Sequence, residues 1–301
     1  MTSQDQLAAG LQLSLFEASL DEGTIRQRNN PAEQIQRMVI TDRGLDSPFK
    51  IQVLLRACIH GMMSKKSSKP ASLMVFDYFV VGTKEGARFS SIDTSFEFGE
   101  YVSPTGQPQA SAEPALPSVV AFAPFEEPVR FNLTKAEETN KKKGELKLSP
   151  QVAGVGVGEV VLGGEKESKH DQRYFDRGLG GRHFEDERAY LVWWNLIHNK
   201  KQNLGVSPKF RVAILVERNG TAKFQAKFAI AARGSFGYKI EELKNKWIRK
   251  TAVDDPTFFD PNHPPMGDLE GVDKDELGRL KIGAELSALS SVWGLNALEK
   301  P

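Results

Sequence analysis

The chain has 301 residues, of which 40% are hydrophobic and 26% are charged, and its formal net charge is +1. This is the composition of a globular protein, and a nearly neutral chain has no overall electrostatic attraction to nucleic acid or to an anionic membrane. The single cysteine, Cys58, excludes a disulfide within the chain and argues against a cysteine-based zinc site. No apolar run has the length of a membrane-spanning helix, and the polar first ten residues do not match a signal peptide, so we expect a cytoplasmic protein.

The first part of the chain predicts a polar arm followed by strands. We expect a flexible N-terminal arm over residues 1–45, which are polar apart from one apolar cluster. Residues 51–59 and 71–81 are nearly continuous apolar runs, which are typical of buried strands. Residues 88–98 alternate apolar and polar side chains, and this period of two indicates a half-buried strand.

Loops and shorter strands are expected next. Residues 103–117 are rich in proline, which cannot donate to a sheet ladder, so this stretch predicts a surface loop. Short strands are predicted at residues 119–123 and 129–133. The highly charged run of residues 135–144 is typical of a solvated hairpin loop.

The second half of the chain predicts a central strand, a hairpin and two helices. Residues 190–198 form the most aromatic stretch, and because both of its faces are largely apolar we place this strand centrally in its sheet. Asn219-Gly220 stands between two β-type runs, and this dipeptide favours a tight hairpin because both residues accept positive φ. Apolar residues at helical spacing predict helices over residues 239–250 and 273–298.

Many short strands and few helices favour a mainly β protein, and we predict an antiparallel β-sandwich with a short C-terminal helical extension. The chain then divides into a flexible N-terminal arm (1–45), a β-sandwich domain (46–265) and a helical C-terminal tail (266–301). The residues expected in the sandwich core are Phe76, Phe96, Trp193 or Trp194, Phe210, Val212, Ile214, Phe224, Phe228 and Ile230.

No motif in the chain predicts catalysis. None of the histidines stands in a zinc-binding spacing such as H-x-x-x-H, and each is expected to have a structural or surface role. Cys58 lies in an apolar run, where a thiol is usually buried and inert. We therefore expect a non-enzymatic protein with no catalytic residue, metal or cofactor. The histidines are His60, His170, His183, His198 and His263.

Two further patterns suggest a ligand but fit structural roles better. The acidic stretch of residues 254–261 could offer oxygen ligands to calcium, yet its spacing does not match an EF-hand, and aspartates beside prolines are typical turn caps. Phe258 or Phe259 within it is expected to fill the core. The glycines from Gly154 to Gly158 have the spacing of a phosphate loop, but no helix start follows them.

The segment of residues 151–164 also supports a membrane-active alternative. Glycine and valine alternate in its middle and Glu159 is its only charge, which suits a hairpin with valines facing lipid. An ordinary extended strand in the sandwich is the competing interpretation. The candidate residues for contact with a membrane or a partner are Lys141, Lys142, Lys143, Val155 and Val157.

Several stretches, taken in chain order, form a characteristic pattern of strands. They are Ala71–Asp77, Arg88–Phe89, Phe96–Phe98, Val119–Pro124, the strand of Trp193, Asn199, Gly205–Val206, Phe210–Val216, Phe224 and Asp254–Pro261. In this order they resemble a group of uncharacterised proteins encoded widely in filamentous fungi. The resemblance covers about residues 45–265. It implies an intracellular β-sandwich and carries over no activity and no site residue.

For function, the sequence favours an intracellular binding module that contacts another protein, because sandwich edges and loops are natural binding surfaces. One alternative is a membrane-binding or pore-forming protein that uses residues 151–164. A second alternative is an enzyme whose site is assembled from scattered polar residues. Binding to nucleic acid is not expected, because the basic groups at residues 65–66 and 141–143 lack interleaved aromatic side chains.

Overall fold

A computed structural model describes most of the chain. The described residues are 13–14, 27–44, 47–66, 69–104, 116–142, 166–236, 254–267, 269–282 and 284–293. For residues 13–14, 135–142, 166–173 and 235–236 this description is limited to the backbone.

Strands dominate the described residues, and all of the strand pairings are antiparallel. Two short helical segments lie near the C-terminus, a 3₁₀ helix over Lys274–Lys281 and an α-helix, α1, over Glu285–Ala288. The strands are β1 (Leu13–Ser14), β2 (Val39–Arg43), β3 (Phe49–Met62), β4 (Pro70–Gly82), β5 (Ala87–Glu100), β6 (Ser118–Ala123), β7 (Val129–Lys142), β8 (Lys166–Glu185), β9 (Arg188–Ile197), β10 (Lys209–Glu217), β11 (Phe224–Phe236), β12 (Thr257–Phe259) and β13 (Ser291–Val292).

The strands form two sheets. Sheet I has the order β1-β11-β5-β9-β8-β7, and β12 also pairs with β11. Sheet II has the order β13-β10-β4-β3-β2, and β6 also pairs with β10. The predicted mainly β fold, an antiparallel sandwich with a short helix near the C-terminus, is confirmed. The central position of the aromatic strand is confirmed as well, because β9 lies between β5 and β8.

The inner faces of the two sheets share one aromatic core. The rings of Phe76 in sheet II and Phe96 in sheet I stack with their centroids 4.2 Å apart. Tyr78 packs on the ring of Phe210, and its hydroxyl lies 3.1 Å from the hydroxyl of Thr94, so the one polar atom of this ring is satisfied inside the core. The predicted core residues are buried, with Trp194 rather than Trp193 facing inward: Phe76, Phe96, Trp194, Phe210, Val212, Ile214, Phe224, Phe228 and Ile230.

The C-terminal segment covers the outer face of sheet II. Leu277, Leu280 and Leu286 are buried against a second apolar cluster that includes Leu73 and Leu215. The sequence predicts one helical stretch over residues 273–298. This is wrong for residues 289–293, because α1 ends at Ala288 and β13 then pairs with β10. Residues 294–298 lie outside the described residues.

The predicted tight hairpin at Asn219-Gly220 is wrong. The strand before it, β10, pairs within sheet II, and the strand after it, β11, pairs within sheet I. Residues 218–223 therefore cross from one sheet to the other instead of turning back within one sheet. Arg218 holds this crossing, since its guanidinium donates to the carbonyl oxygens of Gly220 and Ala71.

Gly180 in β8 is a position where the core admits no side chain. A Cβ at this glycine would lie 2.6 Å from the Phe122 ring and 3.2 Å from the Trp194 ring. We expect Gly180→Ala to lower the free energy of unfolding by about 1–3 kcal/mol, because it overpacks a buried contact. Gly99→Ala in β5 is the matched control, since nothing lies within 4 Å of its Cβ position. Urea unfolding measures both variants, and equal stabilities would contradict the packing described here.

Candidate functional site

The feature that stands apart from the sandwich is the hairpin of β7 and β8. β8 pairs with β9 from Arg177 onward. Beyond that point, nine residue pairs from Thr134–Tyr174 to Lys142–Lys166 join β7 to β8, and no other strand in the described ranges pairs with these residues. At about 3.4 Å per residue this two-stranded ribbon is roughly 30 Å long. We call residues 134–142 and 166–174 the arm.

The arm corrects the sequence analysis in one place and extends it in another. The charged run of residues 135–144 was expected to be a loop, but residues 135–142 belong to β7. β8 was not predicted at all. Both strands lack an apolar face in this region, and the sequence signal for a strand is the alternation of apolar and polar residues. The backbone register pairs Lys141 with Glu167 and Lys142 with Lys166.

The candidate contact residues lie at and beyond the end of the arm. Lys141 and Lys142 are the last two residues of β7. Lys143, Val155 and Val157 lie outside the described residues. So does the rest of the segment of residues 151–164, and so does the helix predicted at residues 239–250.

A network of buried polar groups fixes the root of the arm, the place where it leaves the sandwich. The carboxylate of Asp176 accepts hydrogen bonds from the backbone N–H of Asn199 and, at 2.6 Å, from the side-chain amide of Asn132. The Asn199 amide in turn donates to the Asn132 carbonyl oxygen at 2.8 Å and to the Thr134 hydroxyl at 3.0 Å. The root network therefore ties both arm strands to the loop after β9.

The backbone at the root is irregular in a way that suits these residues. The β7–β8 register shifts between Phe131 and Thr134, and Asn132 within this bulge has a φ of +56°. Asparagine tolerates the left-handed region better than most residues, and its amide can then turn towards Asp176. Aromatic packing adds to the attachment, because the rings of Phe125 and Phe131 stack with centroids 6.1 Å apart.

Two titratable groups meet at the root. Burial raises the pKa of the Asp176 carboxyl, although the hydrogen bonds from Asn132 and Asn199 oppose the shift. Burial also lowers the pKa of His198, and the charge of Asp176 opposes that change. His198 follows directly after β9, and its Nδ1 has no hydrogen-bond partner among the described residues. Asp176 serves as an acceptor for backbone and amide donors, which is the arrangement of a structural carboxylate.

A second buried polar cluster lies at the opposite end of the sandwich. His60 Nδ1 is 2.7 Å from the Ser72 hydroxyl and its Nε2 is 2.8 Å from the side-chain amide nitrogen of Gln36. Burial, followed by the charge of Arg218, lowers the pKa of His60 to about 4. Cys58 lies 3.5 Å from His60 Nε2, but it is fully buried and burial raises the pKa of its thiol. A buried thiol of this kind is not a nucleophile, so the cluster has a structural role.

Carboxylates of the acidic stretch that follows residue 253 bind backbone and side-chain donors in the N-terminal part of the described chain. Asp254 accepts from the Gln27 backbone N–H at 3.0 Å and pairs with Arg43 at 2.8 Å. The side chain of Asp255 accepts from the Asn29 N–H. These carboxylates thus bind N–H donors, and both Phe258 and Phe259 are buried, as the structural interpretation of this stretch predicted.

Within the described ranges, no group of three or more His, Cys, Asp or Glu side chains is placed to hold a metal ion. None of the helices in those ranges is long and apolar enough to span a membrane.

Comparisons with known proteins do not assign this chain to a family. No protein-family model matches the chain, and no curated protein matches its sequence. Among solved structures, the chain is similar to the Clostridium perfringens NetB toxin in its membrane-inserted form, with a TM-score of 0.24 and 9% sequence identity over 74% of this chain and 92% of that chain. A score this low does not establish a common fold.

Proposed function

We propose that this protein is a membrane-binding protein that inserts the segment between β7 and β8 into a lipid bilayer. The observation that carries the proposal is the arm, in which nine residue pairs leave the sandwich and no third strand of the described residues pairs with them. A two-stranded ribbon that projects from the sandwich does not stabilise it, so we assign the arm a separate role. The described part of the arm ends at the pair Lys142–Lys166, about 30 Å from the root, and residues 143–165 connect these two residues in the sequence.

The sequence of that connecting segment supports the proposal. Residues 143–165 have the length of two membrane-crossing strands of about 9–11 residues with a short turn. Gly144, Leu146 and Leu148 alternate with charged or polar residues, and the valines between residues 152 and 161 are interrupted mainly by glycine. Alternation of this kind is typical of strands with one face towards lipid.

The free edges of the arm support the same function. An isolated two-stranded hairpin is only marginally stable in water, and unpaired strand edges are templates for pairing with another chain. Backbone groups cannot remain unpaired in a bilayer, so hairpins that insert must pair with others to close a barrel. We therefore expect several copies of this protein to assemble on the membrane.

Liposome flotation combined with dye release tests the proposal. We expect the parent protein to float with vesicles and to release dye. Val155→Asp and Val157→Asp should each reduce dye release at least tenfold, because a charged side chain at a lipid-facing strand position opposes insertion.

Val102→Asp is the matched control for these variants. Val102 is 63% exposed beyond the end of β5 and lies at the end of the sandwich opposite to the arm. The same substitution there should leave dye release unchanged. A parent protein that neither floats nor leaks on neutral and anionic vesicles at low and high salt would rule out the membrane function.

The second candidate remains the protein-binding module that the sequence favours. The outer face of β9 supports it, because Leu191, Trp193 and Ile197 are only half-buried there. Such a row of apolar side chains on an outer sheet face suits contact with an apolar protein surface. The flotation experiment separates the two candidates, since a protein-binding module leaves vesicles intact.

A further inference from the structure

We infer that Asn219 is a site of spontaneous deamidation, and that the isoaspartate formed there loosens the crossing between the two sheets. The reacting pair is Asn219-Gly220, the only Asn-Gly dipeptide in the chain. It lies in residues 218–223, which cross from β10 to β11. The crossing belongs to the sandwich itself, so this modification is independent of the proposed membrane function.

The reaction is an acyl transfer between two groups that adjoin each other in the chain. The backbone nitrogen of Gly220 loses its proton to the solvent and attacks the side-chain carbonyl carbon of Asn219. The bond between this nitrogen and Cγ forms, the bond between Cγ and Nδ2 breaks, and the leaving nitrogen takes up a proton and departs as ammonia. Water then opens the cyclic imide at one of its two carbonyl groups, which gives aspartate or isoaspartate at position 219.

The local structure leaves both reacting groups available. Asn219 is exposed, and residues 219–222 are bends outside any strand or helix. Neither the side-chain amide of Asn219 nor the N–H of Gly220 has a hydrogen-bond partner among the described residues. An amide that no hydrogen bond fixes can rotate towards the next backbone nitrogen, and asparagine is a thermolabile residue for this reason.

The glycine removes the main steric barrier to the attack. A side chain after asparagine crowds the imide ring as it closes, and glycine has no Cβ that could do so. Apart from the chain neighbours, no atom of the described residues lies within 4 Å of the place that a Cβ at Gly220 would occupy. Gly220→Ala therefore adds the barrier without a clash in the fold, and this makes it a clean test variant.

The product changes a contact that fixes the crossing. Arg218 is 3% exposed, and its guanidinium donates to the carbonyl oxygens of Gly220 at 2.7 Å and of Ala71 at 3.1 Å. In isoaspartate the main chain runs through the side chain and is longer by one methylene, which displaces the Gly220 carbonyl oxygen from the guanidinium. A buried donor that loses its acceptor destabilises the fold. Ordinary aspartate at position 219 leaves the length of the main chain unchanged.

The test is incubation of the full chain at neutral and mildly alkaline pH, followed by peptide mapping and enzymatic methylation of isoaspartate. We expect isoaspartate at position 219, formed roughly tenfold faster per pH unit, because the deprotonated fraction of the amide nitrogen rises by that factor. Gly220→Ala should slow the reaction at least about tenfold. Asn203, which is also exposed but precedes Leu204, is the internal control and should stay intact.

Thermal unfolding of the incubated samples tests the effect on the crossing. The incubated parent should unfold several degrees below the fresh parent and below Asn219→Asp, which carries the new charge without the longer main chain. Incubated Gly220→Ala should unfold like the fresh variant. An intact asparagine at position 219, or equal reaction rates in the parent and Gly220→Ala, would overturn the modification site. Isoaspartate-containing protein that unfolds like Asn219→Asp would overturn the loosening of the crossing.

Discussion

Asp176→Ala should destabilise the protein by about 2–4 kcal/mol and loosen the root of the arm. The carboxylate of Asp176 accepts from the Asn199 N–H and from the Asn132 amide in a buried setting. Removing it leaves both donors without an acceptor, and each unsatisfied buried donor costs about 1–3 kcal/mol. The raised pKa of Asp176 shows that burial disfavours its charge, which offsets part of this loss.

Urea unfolding and amide hydrogen exchange measure the two parts of this expectation. The N–H groups of Asn199 and of Thr134 should exchange faster in Asp176→Ala, because the root network opens more often. Asp93→Ala is the control, since Asp93 is exposed on β5 and its carboxylate accepts a hydrogen bond from the Asn195 amide at the sheet surface. That variant should change stability by less than about 1 kcal/mol. Matching stability and exchange in both variants would mean that Asp176 does not hold the arm.

The same variant bears on the proposed membrane function. A loosened root should let the arm leave its resting position more easily, so dye release by Asp176→Ala should be faster than by the parent at equal vesicle binding. Slower release at equal binding would indicate that insertion needs the root network intact, with the arm held at a fixed angle to the sandwich.

The strands of the sandwich could be predicted because the core imposes a pattern on them. Ile92, Thr94, Phe96 and Phe98 alternate with polar residues along β5, and all four are buried. The buried runs of β3 and β4 were predicted for a related reason, since sheet II is covered on both faces, by sheet I and by the C-terminal leucines. Burial that repeats along a strand therefore produces a repeating pattern of apolar residues in the sequence.

The arm and its root could not be predicted, because their sequences have no repeating apolar pattern. The arm strands pair through their backbones, and backbone pairing places no demand on side-chain type. The root brings together Asn132, Asp176 and Asn199, which are separated by 44 and 23 residues in the chain. Three polar residues at such distances carry no local signal, and only the register of β7, β8 and β9 places them in contact.

The error at Asn219-Gly220 has a related cause. Asn219-Gly220 favours a tight hairpin because both residues accept positive φ, but neither of them has a positive φ in the connection between the sheets. The choice between them depends on which strands are already paired, and β4 and β6 occupy both edges of β10 over much of its length. The C-terminal segment also depends on its tertiary contacts. A Cβ at Gly278 would lie 2.5 Å from the Met63 carbonyl oxygen, so the segment packs closely against the backbone at this position.

The stability of the protein should fall as the pH is lowered from about 6.5 to about 4, with His60 as a major cause. In the folded protein burial and the charge of Arg218 lower the pKa of His60 from 6.5 to about 4. The unfolded chain then takes up a proton near pH 6.5 while the folded protein does not, so the contribution of His60 is fully present above pH 6.5 and is lost towards pH 4. The difference between the two pKa values corresponds to about 3 kcal/mol.

The hydrogen bonds of His60 give the reason why its folded form stays neutral. The Gln36 amide donates to Nε2, so the ring proton sits on Nδ1 and faces the Ser72 hydroxyl. A second proton on Nε2 would face the Gln36 donor and add a charge near Arg218. The other charged or titratable groups that act on His60 are Asp260, which favours protonation, and His263, which opposes it.

Urea unfolding of the parent and of His60→Gln from pH 4 to pH 7.5 isolates this effect. His60→Gln should be less stable at pH 7 but should lose about 3 kcal/mol less than the parent over this range, because glutamine cannot take up a proton. Subtracting the two profiles removes the groups at the arm root, where His198 acts in the same direction and Asp176, with a raised folded pKa, acts in the opposite one. His183→Gln, at an exposed position of β8, should follow the parent profile. Parallel profiles for the parent and His60→Gln would mean that the His60 cluster accepts a proton without cost, and the acid sensitivity would then have to arise at the root of the arm.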